Sequence, residues 1–162
     1  MLIRRATLLD APAIAKVNVM SWRETYPGIV PQSHLDNLSI DKRQDIWRQA
    51  IEQGRFVSVA ENEGEVIGFA DGGKFCGQHP NIVGELYAIY VLAAYHRKGL
   101  GRKLFDSIQQ FLDQNNLLPF AIWALADNPA CHFYKAMGGK MVDEKWVDIG
   151  NIALKEFLFA YE

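Results

Sequence analysis

Apolar residues recur along this chain with two periods, and the points where one period gives way to the other mark its elements. Spacing of three to four argues for helix, and alternation argues for strand. Leu2 to Ala6 reads as a short strand. Thr7 or Asp10 then opens a helix, with Pro12 in the first turn, where the missing N–H of proline costs nothing. Ala13, Ile14, Val17, Met20 and Trp22 supply its apolar side, and Tyr26-Pro27-Gly28 ends it. Pro31 to Leu38 reads as a short second helix or turn. A third helix starts near Asp41 as its N-cap, buries Ile46, Trp47, Ala50 and Ile51, and stops at Gly54.

Strands follow. Arg55 to Glu61 and Val66 to Lys74 form a hairpin across Asn62-Glu63-Gly64-Glu65. Gly68, Gly72 and Gly73 mark a bulge or a close backbone approach in its second strand. Phe75 to Asn81 is a loop. Glu85 to Val91 then alternates as a strand. After Gly99 the period changes within a few residues, and Leu100, Leu104, Phe105, Ile108, Phe111 and Leu112 take helical spacing to Asn115-Asn116. Leu118 to Ala124 is a further strand. Asn128 caps a helix with Pro129 at its first position, running to Met137 and ending at Gly138-Gly139. Lys140 to Val147 and Asn151 to Tyr161 pair across Asp148-Ile149-Gly150. The sum is α+β, a three-layer α/β/α arrangement: a mixed, mostly antiparallel central sheet of about seven strands with flanking helices.

Composition narrows the class. The length of 162 residues suits one domain with a sizeable core. A net charge of -2 argues against a general nucleic-acid binder, so the basic cluster His96, Arg97, Lys98, Arg102, Lys103 is a local feature suited to a small polyanion. The two cysteines, Cys76 and Cys131, are too few for a disulfide scaffold. No apolar run approaches the roughly 20 residues that span a membrane, and the start of the chain shows no secretory pattern. A cytoplasmic setting without a membrane partner is the expectation.

The candidate chemistry gathers at the change of period. A helix N-terminus offers free N–H groups and the positive end of a dipole, and glycines let a phosphate approach the backbone. Gly99 and Gly101 also serve a plain strand-to-helix turn; the five flanking basic residues tilt the reading toward phosphate. A P-loop is excluded because no Gly-Lys-Ser/Thr occurs in the turn, and a dinucleotide fingerprint because Leu104 stands where a third glycine is needed. Glu85 reads equally as a solvated edge carboxylate and as a general base; Glu24 and Asp36 are weaker candidates. Tyr134 beside Phe133 reads as core or as a phenol with a proton to give. Trp146 and Tyr161 read as core. Cys76 with His79, and Cys131 with His132, fit no standard zinc spacing, and no metal is expected.

The strand Glu85-Leu-Tyr-Ala-Ile-Tyr-Val, the turn His96-Arg-Lys-Gly-Leu-Gly and the later Ala126-Asp-Asn-Pro-Ala-Cys-His-Phe-Tyr134 together resemble the GNAT-type N-acetyltransferases, whose element order the whole chain follows. His96 departs from the family's Gln or Arg. The resemblance implies the GNAT acyl-CoA acyltransferase fold with acetyl-CoA as co-substrate. The turn His96, Arg97, Lys98, Gly99, Leu100, Gly101 and Arg102 would hold the pyrophosphate. The backbone of Ile89, Tyr90 and Val91 would pair with the pantetheine arm, as an added strand pairs with a sheet edge. Asn128 would touch the same arm. Tyr134 would lie near the sulfur and return a proton to it, and Glu85 would assist the amine. Trp22 and Tyr26 would shape the acceptor pocket. The implied function is transfer of an acetyl group to a primary amine, by direct attack in a ternary complex. The acceptor is a small-molecule amine or a protein amine, and a homodimer through the C-terminal strands follows by analogy. The alternatives are a non-catalytic acyl-CoA-binding or sensing module and a phosphometabolite binder.

Overall fold

The computed structural model describes residues 1–162. In chain order the elements are β1 (Leu2–Arg5), α1 (Ala11–Thr25), α2 (Gln32–Asp36), α3 (Ile40–Glu52), β2 (Phe56–Asn62), β3 (Glu65–Lys74), β4 (Gly84–Val91), α4 (Leu100–Gln114), β5 (Phe120–Leu125), α5 (Ala130–Ala136), β6 (Lys140–Ile149) and β7 (Ile152–Tyr161). The seven strands form one sheet in the order β1-β2-β3-β4-β5-β7-β6. Every neighbouring pair is antiparallel except β4 with β5. The expected fold class is the observed one.

Helices cover both faces. On one face Leu104, Ile108 and Leu112 of α4, spaced four apart, bury against Ile67 and Ala70 of β3, Leu86 of β4 and Phe120 of β5. On the other, Ile14, Ala15 and Val17 of α1 and Trp47 of α3 bury against Val57, Val59 and Phe69. Each large apolar side chain so buried contributes roughly 1.5–3 kcal/mol relative to an exposed one. Those two cores hold the sheet rigid on either side of β4.

Several expectations need correction. Ile46 is 56% exposed, because Trp47, Ala50 and Ile51 share the buried face and residue 46 is turned about 100° from it. Met20 lies on the outward row of α1 with Lys16 and Arg23. The N-cap of α3 is Ser39, whose hydroxyl accepts from the Lys42 N–H at 3.2 Å; Asp41 sits in the first turn instead, where a carboxylate favours the helix dipole. Trp146 is exposed on the edge strand β6, 66% accessible, whereas Tyr161 is buried as expected. The β6–β7 turn is Gly150-Asn151, both at positive φ (58° and 68°), the pattern of a two-residue hairpin turn, so Asp148 and Ile149 remain in the strand.

The expected irregularity in the glycine-rich strand is present. Asp71 pairs with Ala88 and Gly72 with Leu86, which leaves Tyr87 as an extra residue in β4. The bulge requires glycine opposite it: a Cβ at Gly72 would lie 2.7 Å from Ile108 Cγ2 and 2.8 Å from the Glu85 carbonyl oxygen.

Candidate active site

β4 and β5 start side by side and then part. Gly84 pairs with Phe120 and Glu85 with Ala121, and no further pair follows, although β4 continues to Val91 and β5 to Leu125. β4 stays bonded to β3 and β5 to β7, so each strand keeps one paired edge and turns the other into the gap. A cavity of about 180 Å³ fills this gap. Its walls are Tyr87–Tyr90 of β4, Ile122–Leu125 of β5, and Trp22, Tyr26, Asn128, Tyr134, Ile149 and Glu156. A second, outer cavity of about 330 Å³ shares Trp123 with the first and holds Glu85, Asp143 and Lys145.

The basic turn stands at the end of β4 and leads into α4. Arg97 and Gly99 both have positive φ (62° and 78°), which curls the backbone ahead of the helix. The first intrahelical bond runs from the Lys103 N–H to the Gly99 carbonyl at 3.2 Å, so the N–H groups of Leu100, Gly101 and Arg102 have no helical partner. Arg97, Lys98, Arg102 and Lys103 are exposed around them. The His96 ring donates to the Val91 carbonyl at 2.7 Å. This bond ties the turn to the strand it leaves, and it gives the unexpected histidine a structural role.

Tyr134 projects into the cavity from α5. Its carbonyl accepts from the Tyr161 hydroxyl at 2.7 Å, which fixes the backbone beneath it. Burial pushes the Tyr134 phenol well above its ordinary pKa, and the nearby phenols of Tyr90 and Tyr161 push the same way. It therefore keeps its proton at neutral pH. Asn128 has two occupations. Its Oδ1 accepts from the Ala130 N–H at 2.9 Å, the expected cap, and its Nδ2 donates to the Tyr26 hydroxyl at 3.1 Å. That second bond joins the end of α1 to the start of α5 across the cavity. Tyr26 also packs on Trp22, ring centres 4.5 Å apart.

Glu85 is half-buried at the point where the strands part, and its Oε1 accepts from the Cys76 N–H at 3.0 Å. Burial raises its pKa, against the lowering effect of that hydrogen bond and of Lys145. Glu156 on β7 is raised too, again by burial first. The weaker candidates are engaged elsewhere: Glu24 accepts from the Ala93 N–H at 3.2 Å and Asp36 from Gln32 at 2.9 Å. The structure thus brings Trp22, Tyr26, Ile89, Tyr90, Asn128 and Tyr134 to one cavity and puts Glu85 in the adjoining one.

Sequence reasoning missed three residues that line the cavities, Trp123, Glu156 and Lys145, and one buried carboxylate, Asp71. Lys145 and Glu156 are charged residues at strand positions flanked by no buried neighbour and so look like solvated surface, and Trp123 stands in the otherwise buried run Phe120–Leu125 and so looks like core. Asp71 carried a readable signal, a lone carboxylate inside the apolar run Val66–Gly73. It is 1% exposed, its Oδ2 lies 3.3 Å from Arg55 Nη1, and its Oδ1 has no partner. Burial outweighs the Arg55 charge and pushes the carboxyl up to about 7. The Arg55 guanidinium in turn lies 4.7 Å over the Tyr87 ring, which lines the inner cavity.

A sheet that parts beside a basic turn at a helix N-terminus, with a buried phenol on the wall of the gap, fits an acyl-CoA-dependent acyltransferase. Residues 18–138 match the acetyltransferase (GNAT) family, and the chain belongs to that family: it is an acetyl-CoA-dependent N-acetyltransferase. It is 38% identical, over 95% of its length and 88% of the relative's, to the uncharacterized N-acetyltransferase YuaI of Bacillus subtilis (strain 168). It is 29% identical to an N-alpha-acetyltransferase of Sulfurisphaera tokodaii, over 86% of this chain and 80% of that one. Among solved structures, the PaiA N-acetyltransferase of Thermoplasma acidophilum, in complex with coenzyme A, superposes with a TM-score of 0.80 at 20% identity, covering 98% of this chain and 96% of that one. YncA of Salmonella typhimurium, a putative acetyltransferase with acetyl-CoA, gives 0.76 at 20% identity over 100% and 93%. These two likenesses are of fold.

Proposed function

We propose that acetyl-CoA binds along the β4–β5 gap and that a primary amine enters through the outer cavity to attack the thioester directly. One observation carries this reading: the sheet parts after two residue pairs, and Tyr134 lines the cavity in the gap. The N–H groups and cations of the turn His96–Arg102 serve the pyrophosphate. The free edge of β4 at Ile89, Tyr90 and Val91 serves the amides of the pantetheine arm, although His96 already occupies the Val91 carbonyl. The second N–H of the Asn128 amide remains for the same arm. A strand N–H near Ile89 polarises the acetyl carbonyl. Coenzyme A in the Thermoplasma structure and acetyl-CoA in the Salmonella one support the assignment of the ligand.

Each proton has a carrier in this scheme. The amine arrives as an ammonium and must lose a proton before it has a lone pair to use. Glu85 takes that proton, through water where the two do not touch, and its burial makes it a stronger base than a solvated carboxylate. Tyr134 gives its proton to the sulfur as the C–S bond breaks, and the nitrogen, now bonded to the acetyl carbon, yields its second proton to the Tyr134 oxygen and restores the phenol. Trp22 and Tyr26 form the acceptor side of the inner cavity. We place the enzyme in the cytoplasm, a reading supported by the two unpaired cysteines; no helix is long and apolar enough to cross a membrane.

Calorimetric titration of the folded protein with acetyl-CoA tests the assignment. Saturable binding that weakens with added salt is expected, because the turn holds phosphate by charge. A folded protein that shows no heat of binding at high concentration would refute it. Release of coenzyme A across a panel of amines then identifies the acceptor class.

A further inference from the structure

Lys145 is the one primary amine that lines either cavity. It belongs to β6, yet its ammonium reaches back over the sheet to lie 4.2 Å above the centre of the Trp123 ring. Its Nζ stands 3.9 Å from Glu156 Oε1. Trp123 and Glu156 both line the inner cavity, with Tyr134 and Asn128. Glu85, in the outer cavity with Lys145, feels the same ammonium. The other lysines beside aromatic rings are elsewhere: Lys98 lies over Tyr95 at the turn, and Lys155 over Trp146 with Glu144. An amine and two half-buried carboxylates thus gather where the two cavities share Trp123, with the phenol of Tyr134 on the wall of the inner one. That set is what an amine acceptor requires, and the chain supplies the amine itself.

We propose that Lys145 is an acetylation site of the enzyme's own, modified in cis by acetyl-CoA held in the β4–β5 gap; the inference rests on the reading of that gap given above. The ammonium of Lys145 passes one proton to the Glu156 carboxylate. The freed lone pair attacks the acetyl carbonyl carbon and forms the N–C bond. The C–S bond breaks with its electron pair on sulfur, which takes the Tyr134 proton. The nitrogen then yields its second proton to the Tyr134 oxygen, restoring the phenol, and Glu156 releases its proton to water. The products are an acetyl-lysine and free coenzyme A, with one proton released overall. The side chain is 47% exposed, so the acetylated form fits without opening the core.

The test incubates the purified protein with acetyl-CoA and no added amine, then follows intact mass and the modified peptides over time. One acetyl group is expected at Lys145, at a rate at least roughly tenfold above that of the exposed Lys16 and Lys140, because only Lys145 is held beside the bound thioester. The rate constant should not change when the protein is diluted at saturating acetyl-CoA. Tyr134→Phe should slow Lys145 alone, and Lys145→Arg, on an exposed edge strand, should remove the fast phase without changing acetyl-CoA binding by calorimetry. Equal rates at all lysines, or a rate constant that rises with protein concentration, would overturn self-acetylation in cis. Acetyl-CoA binding with Lys145 left unmodified overturns this inference and leaves the proposed function standing; absence of binding overturns both.

Discussion

Asp71→Asn tests the energetics of the sheet directly behind the β4 bulge. The Asp71 carboxyl is buried with one oxygen unpartnered, and its pKa rises from the ordinary 3.8 to about 7. An acid whose pKa is raised on folding binds its proton more tightly in the folded state. Stability is then highest below the unfolded value and falls as pH rises through the window from about 4 to about 7. The rise of about three units, at about 1.36 kcal/mol each, amounts to a cost of about 4 kcal/mol once the group is ionised. Asparagine has nearly the same shape and never ionises. Its amide nitrogen takes the place of the oxygen that already lacks a partner, so no satisfied bond is lost. Structural relaxation around the charge makes about 4 kcal/mol an upper figure, and a gain of about 2 kcal/mol at pH 8 is expected. Urea unfolding of both proteins between pH 4 and pH 8 measures it. The two should agree near pH 4 and separate as pH rises. Equal stability at pH 8, or a gain that does not shrink toward pH 4, would show that Arg55 offsets the burial of the charge.

Three further outcomes concern the site. Tyr134→Phe should lower turnover by about 100-fold, the lower end for loss of a general acid, with acetyl-CoA affinity nearly unchanged; unchanged turnover would remove Tyr134 from that role. Glu85→Gln should abolish the acidic limb of kcat/KM against pH, a limb displaced above the usual carboxylate range because burial raises the Glu85 pKa; a variant that keeps this limb would move the base elsewhere. Gly99→Ala places a side chain at φ +78°, a strain of about 1–2 kcal/mol, and should weaken acetyl-CoA binding while a thermal melt stays cooperative; full affinity would mean that the turn does not set the phosphate site.

Local chemistry was legible and lateral geometry was not. The change of period at Gly99 located α4, and Asn128-Pro129 located the start of α5, because caps and turns are decided within a few residues. The basic turn leading into α4 was legible for the same reason. The parting of β4 from β5 was not, since a strand's sequence records which face is buried and not where its neighbour leaves it. Trp123 and Glu156 became candidate site residues only once that gap put them around a cavity, and Lys145 only through the cavity beside it. Met20, Ile46 and Trp146 failed in the opposite direction: each is large and apolar, but its angle on a helix or its place on an edge strand turns it to solvent. His96 was conspicuous in the sequence and explicable only in space, where Val91, five residues back, presents the carbonyl it binds.

The gap also has an energetic logic that links the fold to the reaction. Paired strands satisfy their N–H and C=O groups in both directions, and a buried group left unmet costs roughly 1–3 kcal/mol. From Leu86 onward the β4 edge facing β5 gives up that pairing, and so does the β5 edge from Ile122. The two cores on either side of β4 supply the rigidity to hold such edges apart: α4 clamps one face of β3 and β4, and α1 with α3 clamps the other. Close approach at Gly84, where a side chain would collide with the Leu117 carbonyl, sets the hinge of the parting. A ligand of the proposed kind, which carries its own amides, would meet an unpaired strand already in place, so little backbone entropy would be lost on binding. The same rigidity holds Glu156 and Tyr134 on the wall of one cavity and Glu85 on the wall of the other before any substrate arrives, and fixed groups of this kind are what preorganisation requires.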